Sequence, residues 1–266
     1  MSHTGPTSLA SVDGEIMAAG EATIPVTDDG LVRGDGVFEV IRVYGGTPYA
    51  FEEHLARMER SAANLRLPLD LEAVRADAHR LLARAGTGPD HECLRIMITR
   101  GGRRLLMTEP MTVPPERARL MSVTYSPTRI LDGVKSLSYA GNMLATRLAQ
   151  EQGFDEALLV TPHGRVLEAP TSTIFWVKDG QLLTPPLDEH ILASITRRLI
   201  IDVTDAGEQS CTLEELYAAD EVFLASTTRE VEPVAAVDDR TFDAPGPVSE
   251  RTREAVTERI QAQLRA

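Results

Sequence analysis

The chain is poor in cysteine, in long apolar runs and in basic tracts, and each shortage removes a class of protein. Two cysteines, Cys93 and Cys211, stand far apart. That spacing fits no metal motif, and a lone pair makes no disulfide framework. A reducing cytoplasm is the expected compartment. No apolar run exceeds four residues, so no membrane-spanning segment is expected. The opening MSHTGPTSLASVDGE lacks the basic start and apolar stretch of a secretion signal. Lys and Arg total 27 against 40 Asp and Glu, a net charge of −13. An acidic protein repels polyphosphate backbones, so nucleic acid is not an expected partner. The remaining basic clusters are short: Arg100, Arg103 and Arg104, then Arg197 and Arg198. A small anion needs no more than two or three such groups.

With 266 residues, 42% apolar and 25% charged, the composition is that of a globular protein with one large core or two small ones. Residues 12–26 read as a hairpin about Ala19-Gly20. Strands are expected over 37–44 (with a return after Gly45-Gly46), 94–99, 118–125, 156–161, 173–178, 182–184, 221–225 and 231–237. A further strand is expected to run from the Pro162-His163-Gly164 turn to Glu168. Helices are expected over 51–65, 71–85, 141–152, 195–206 and 249–264. The stretch Ser126-Pro127-Thr128 reads as a link, which divides the chain into a domain of residues 1–125, a linker of 126–131 and a domain of 132–266.

The chemistry concentrates between Val134 and Trp176. Lys135 sits in an otherwise uncharged run, and Glu168 follows 33 positions later on a neighbouring element. Read alone, Lys135 is a strand-end lysine with its ammonium in water and Glu168 an exposed strand-end acid. Together they are what an aldehyde cofactor with a protonatable ring requires: an amine to form an imine and an anion to keep the ring nitrogen protonated.

Several motifs in this order, GDGVFEVIRV, EEHLARMERS, MITRGG, VKSLSYAGNMLA, VLEAPTSTIFW, ILASITR and ADEVFLASTTREVEPV, resemble the class IV aminotransferases, the fold-type IV enzymes of pyridoxal 5'-phosphate (PLP). The resemblance covers nearly the whole chain. It implies an α/β (α+β) fold in two domains, a small N-terminal one and a larger C-terminal one, with PLP at their interface, and a cytoplasmic homodimer. Lys135 is implied as the imine-forming lysine and, once released, as the general base, a task suited to an amine whose pKa burial and a nearby cation lower. Glu168 is implied on the pyridine nitrogen, with Ser172 and Thr173 beside it; Thr173 stands where the family usually has asparagine. Arg57, matching the arginine of an EHxxR pattern, is implied on the phosphate; alone it would be a solvated helix flank. Ile195 and Thr196, at a helix start, and Thr227 are implied there too, although Ser194 replaces the family's usual glycine. Tyr139 is expected near the cofactor. Phe38 and Thr228 are expected on the substrate side, with Arg103 or Arg104 receiving the substrate carboxylate. The family's usual arginine position on that loop holds Leu105, and the loop is shorter.

GDGVFEV and STTREVEPV incline the reading toward a D-amino acid transaminase working on an amino acid and a 2-oxo acid. A branched-chain aminotransferase, a 4-amino-4-deoxychorismate lyase and an (R)-amine transaminase remain open, as does a non-enzymatic binding protein on the same fold. The presence of both Lys135 and Glu168 speaks against the last.

Overall fold

A computed structural model describes residues 5–265. The chain forms two compact units. One holds the chain up to Thr112 together with Val134–Tyr139; the other holds Val113–Gly133 and everything from Ala140 onward.

The first unit opens with β1 (Leu9–Val12) and β2 (Glu15–Ala18), an antiparallel hairpin. Its turn is Asp13-Gly14, with φ of 52° and 94°, not Ala19-Gly20 as the alternation suggested. Asp-Gly tolerates two successive left-handed residues, as a tight hairpin requires. A short helix α1 (Asp29–Arg33) is capped by the Asp28 side chain, which accepts from the Gly30 N–H. There follow β3 (Gly36–Tyr44), β4 (Thr47–Pro48), α2 (Phe51–Asn64), α3 (Leu71–Ala85), β5 (Cys93–Thr99) and β6 (Arg104–Glu109). Among the described residues they build a six-stranded sheet in the order β2-β1-β6-β5-β3-β4. Strand β6 was not expected; its Arg-Leu-Leu-Met start carries no clear alternation, and pairing with β5 and β1 decides it.

Alternation along β3 divides this sheet's two faces. Val37, Ile41 and Val43 join Leu94, Ile96, Ile98 and Leu106 against Leu55 and Met58 of α2 and Val74 and Leu81 of α3. Each large aliphatic side chain buried there contributes about 1.5–3 kcal/mol. Phe38, Val40 and Arg42 point to the other face.

The second unit begins with β7 (Ala118–Thr124), then α4 (Ala140–Glu151), β8 (Glu156–Val160), β9 (Thr173–Lys178), β10 (Gln181–Thr184), α5 (Ile195–Thr204), β11 (Gly207–Glu208), α6 (Leu213–Tyr217), β12 (Glu221–Ser226), β13 (Glu230–Val237), β14 (Arg240–Thr241) and α7 (Pro247–Arg265). The sheet runs β11-β10-β9-β12-β13-β7-β8, with β14 pairing β13. Parallel pairs β13–β7 and β7–β8 lie at one end. One face buries Ile174, Trp176, Val222, Leu224 and Val234; on the other, Phe175 and Phe223 stack with ring centres 5.1 Å apart. The expected strand before Glu168 is a looser return: Leu167 and Leu159 exchange backbone bonds with β8 and Glu168 without a continuous ladder.

The Lys135 segment departs from the expected division. Instead of opening the second domain, it lies along the free edge of β3. The Phe38 N–H donates to the Lys135 carbonyl at 3.1 Å, the Leu137 N–H to the Gly36 carbonyl at 2.9 Å, and Val37 bridges Ser136. Backbone pairing with a distant strand outweighs chain proximity here. The expected link at 126–131 likewise lies inside the second unit.

Candidate active site

In the first unit the lysine is placed by that pairing and by α2. Its N–H donates to the buried Ser61 hydroxyl at 3.2 Å. Its amine reaches the face of β3 turned away from α2, with Nζ 4.5 Å from the centre of the Phe38 ring and 5.9 Å from that of Tyr139. The two rings meet edge to face at 5.3 Å. A cation over aromatic faces is attracted by their ring quadrupoles. Lys135, Phe38 and Tyr139, chosen from sequence, are thus one cluster. Two glycines make the close approach feasible. A Cβ on Gly36 would stand 2.4 Å from the Ile98 carbonyl oxygen, and Gly34, at φ 67°, would place one 2.9 Å from the Ser138 hydroxyl.

On the opposite face of β3, Glu39 is fully buried. It accepts from Arg57 Nε at 2.7 Å and Nη2 at 2.6 Å, and lies 2.8 Å from His54 Nδ1. Burial alone would raise its pKa; the Arg57 charge and the hydrogen bonds from Arg57 and His54 outweigh it and hold the carboxyl at about 2. Burial lowers the His54 pKa, against the pull of Glu39. Arg57 is therefore no solvated flank: one edge of its guanidinium is fixed by a buried carboxylate, which orients a planar donor.

The two arginines expected to receive a carboxylate lie elsewhere. Arg103 Nη1 donates to Asp13 at 2.6 Å, and Arg104 Nε to Asp77 of α3 at 2.9 Å. The guanidinium that shares the Phe38 ring with Lys135 belongs to Arg95, 5.9 Å from the ring centre and paired with Glu109 at 2.7 and 3.0 Å. The sequence reading missed Arg95. The available signal was parity: β5 pairs Arg95 with Val40 and Met97 with Phe38, all on the face away from the helices.

In the second unit, Glu168 follows β8's return and accepts from the Leu192 N–H at 3.2 and 3.3 Å. Tyr125, also missed, has its phenol pKa raised by burial and by the Glu168 charge. Ala169 and Ser172 close a tight turn by mutual backbone bonds, braced by Asn142 Nδ2 donating to the Pro170 carbonyl at 3.1 Å. Thr173 begins β9. Helix α5 starts at Ile195 with Ser194 as its cap, whose hydroxyl accepts from the Arg197 N–H; the serine thus keeps the helix start that glycine would leave uncapped. Thr227 and Thr228 form the turn joining β12 to β13.

Comparisons with known proteins identify the family. Residues 36–237 match the family model described as amino-transferase class IV. A putative branched-chain-amino-acid aminotransferase of Methanocaldococcus jannaschii is 34% identical over 257 residues, covering 87% of this chain and 88% of that one. This chain belongs to the class IV aminotransferases. A D-alanine aminotransferase of Bacillus licheniformis is 31% identical over 272 residues, covering 93% and 95%. Among solved structures, the PLP-bound form of a hypothetical aminotransferase from Mycobacterium tuberculosis matches with a TM-score of 0.84 at 27% identity, over 97% of this chain and all of that one.

The enzyme is thus a PLP-dependent class IV aminotransferase with the fold-type IV architecture. Its residues fit the cofactor. The Ser172 and Thr173 hydroxyls are buried and have no hydrogen-bond partner among the described residues. Buried hydroxyls are ordinarily satisfied, and two such groups at the end of the turn that follows Glu168 suit a polar ligand. Among the described residues no cluster of metal-binding side chains occurs, and no helix is long and apolar enough to cross a membrane.

Proposed function

We propose that this aminotransferase moves the amino group of a D-amino acid to a 2-oxo acid, with Lys135 as the catalytic residue. The observation that carries the assignment of Lys135 is its placement: backbone pairing to β3 fixes the main chain while the amine stands over Phe38 and Tyr139. The D-amino acid reading is supported by D-alanine aminotransferases among the relatives and by the Ser226-Thr227-Thr228 turn.

When bound, PLP supplies an electron sink and carries the amino group from donor to acceptor. Lys135 holds the cofactor covalently and, when displaced, moves a proton at the substrate's α-carbon. Glu168, fixed by the Leu192 N–H, supplies the negative charge that keeps a ring nitrogen protonated. Ser172 and Thr173 offer hydroxyls beside it. Arg57, the first N–H groups of α5 at Ile195 and Thr196, and the Thr227 hydroxyl receive the phosphate. Arg95, rather than Arg103 or Arg104, receives the substrate carboxylate, because its guanidinium shares the Phe38 ring with Lys135; Thr228 lines the same substrate. The active form is a homodimer in a reducing cytoplasm.

A branched-chain substrate is the second reading, favoured by the Methanocaldococcus jannaschii relative. The deciding experiment is a panel of D- and L-amino acids and 4-amino-4-deoxychorismate, each assayed with and without 2-oxoglutarate. Turnover of D-alanine or D-glutamate that depends on the 2-oxo acid supports the proposal. Preference for L-leucine, L-isoleucine or L-valine replaces it with the branched-chain reading, and pyruvate release without an acceptor replaces it with the lyase.

A further inference from the structure

Next to the Thr227 turn lies a second buried ionic cluster that the chemistry above does not use. Arg229, the last residue of that turn, donates from Nη1 to Glu232 Oε2 at 2.6 Å and pairs through Nη2 with Glu156. Both glutamates are buried, at 2% and 3% exposure. The same Nη2 is 3.5 Å from the Thr171 hydroxyl, which itself donates to Glu156 Oε1 at 3.0 Å. The Arg229 N–H donates to the Ser226 hydroxyl across the turn at 3.3 Å. Glu230, directly after it, sits at φ 57°, a conformation that non-glycine residues adopt only when their surroundings enforce it.

These contacts connect three places in the second unit: the first residue of β8, the turn that follows Glu168, and the turn that carries Thr227 and Thr228. The cluster has two carboxylates to one guanidinium, so it presents no surplus positive charge and offers a phosphate no direct attraction. Its influence passes through backbone position. A guanidinium bridging two buried acids is a rigid brace, because removing it leaves both carboxylates uncompensated.

We propose that Arg229 is a positioning residue for the cofactor phosphate: clamped by Glu156 and Glu232, it fixes the Thr227 turn against the Glu168–Thr173 turn and so sets where the Thr227 hydroxyl stands. This rests on the assignment of Thr227 to the phosphate. The residue touches no reacting atom, so its removal acts on phosphate recognition and not on ring recognition.

The test titrates the full chain, stripped of cofactor, with PLP and with pyridoxal, which lacks the phosphate, and records the melting temperature of each cofactor-free variant. Two variants are compared with the parent: Arg229→Lys, which keeps the charge but cannot bridge both acids, and the paired change Arg229→Gln with Glu232→Gln, which avoids burying two unpaired carboxylates. Both are expected to weaken PLP binding about tenfold while leaving pyridoxal binding within about twofold, so that the preference for the phosphorylated form falls. Equal losses for PLP and pyridoxal would reduce Arg229 to a general structural role and overturn the proposal, as would a folded Arg229→Lys chain with parental PLP affinity. A parental chain that prefers PLP no more than pyridoxal would instead overturn the phosphate assignment on which this rests.

Discussion

Each unit sets an arginine against buried acid, and the two clusters balance in opposite ways. In the first, Glu39 faces Arg57 and His54, and its pKa falls to about 2. In the second, Arg229 faces Glu156 and Glu232. Burial drives the Glu232 pKa upward, the neighbouring Glu156 and Asp155 charges add to the rise, and Arg229 offsets only part of it. Burial penalises the charged carboxylate in both. What differs is the charge around each carboxylate: cationic partners lower Glu39, whereas Glu156 and Asp155 add to the rise at Glu232, and that balance decides the sign. The first cluster is a settled brace beneath the β3 edge that carries Lys135. The second retains an excess of negative charge.

The same chemical change should therefore give different outcomes in the two places. Glu39→Gln removes the charge that faces a buried guanidinium and is expected to cost about 3–5 kcal/mol of stability, read as a large drop in denaturant midpoint. A variant that unfolds with the parent would show that the Arg57 pairing contributes nothing, and the contrast would fail. The same pairing predicts an acid limb. Because the folded Glu39 pKa lies below its ordinary value near 4.5, its stabilisation is present above that value and is lost as pH falls toward 2. Glu39→Gln should flatten stability against pH across that window.

A smaller effect is expected at Ser61, where the hydroxyl takes the Lys135 N–H. Ser61→Ala should cost about 1 kcal/mol and leave the N–H without its buried partner. Unaltered stability, together with unaltered exchange of the Lys135 amide proton, would mean that the bond does not hold the lysine segment. The least change is expected at Glu232. Glu232→Gln removes a carboxylate that burial disfavours and keeps a side-chain oxygen for Arg229, so near pH 7 it should be neutral or stabilising by up to about 1 kcal/mol. The sign follows from linkage: a raised folded pKa means that Glu232 destabilises above it, and protonation at lower pH relieves this. A loss as large as that of Glu39→Gln would erase the distinction between the clusters.

The difference between the units also explains what the sequence revealed. Local periodicity was legible: α3 spans the expected Leu71–Ala85, and β3 and β9 start within a residue of expectation or at it. Spacing against a family pattern brought Lys135, Phe38 and Tyr139 to one cluster. What stayed hidden depended on partners far away in the chain. Nothing local in Val134–Tyr139 announces an extra edge on β3. Arg95 has no local feature to mark it until pairing with β3 puts it on the Phe38 face, whereas Arg103 and Arg104, conspicuous as consecutive arginines, pair with Asp13 and Asp77. Glu156 and Glu232 carry no local sign of burial, and the parallel and antiparallel pairing of β7, β8, β12 and β13 brings them to Arg229. The hairpin turn departs from expectation for a simpler reason: Asp13-Gly14 accepts two successive left-handed residues more readily than Ala19-Gly20.

The account depends most on which amine carries the cofactor. Borohydride reduction of the PLP-loaded chain, followed by peptide mass spectrometry, reads this directly. The expected result is loss of the visible absorbance band with a single phosphopyridoxyl label on Lys135. A label on another lysine, or a chain that gains no band from PLP and takes no label, would contradict it.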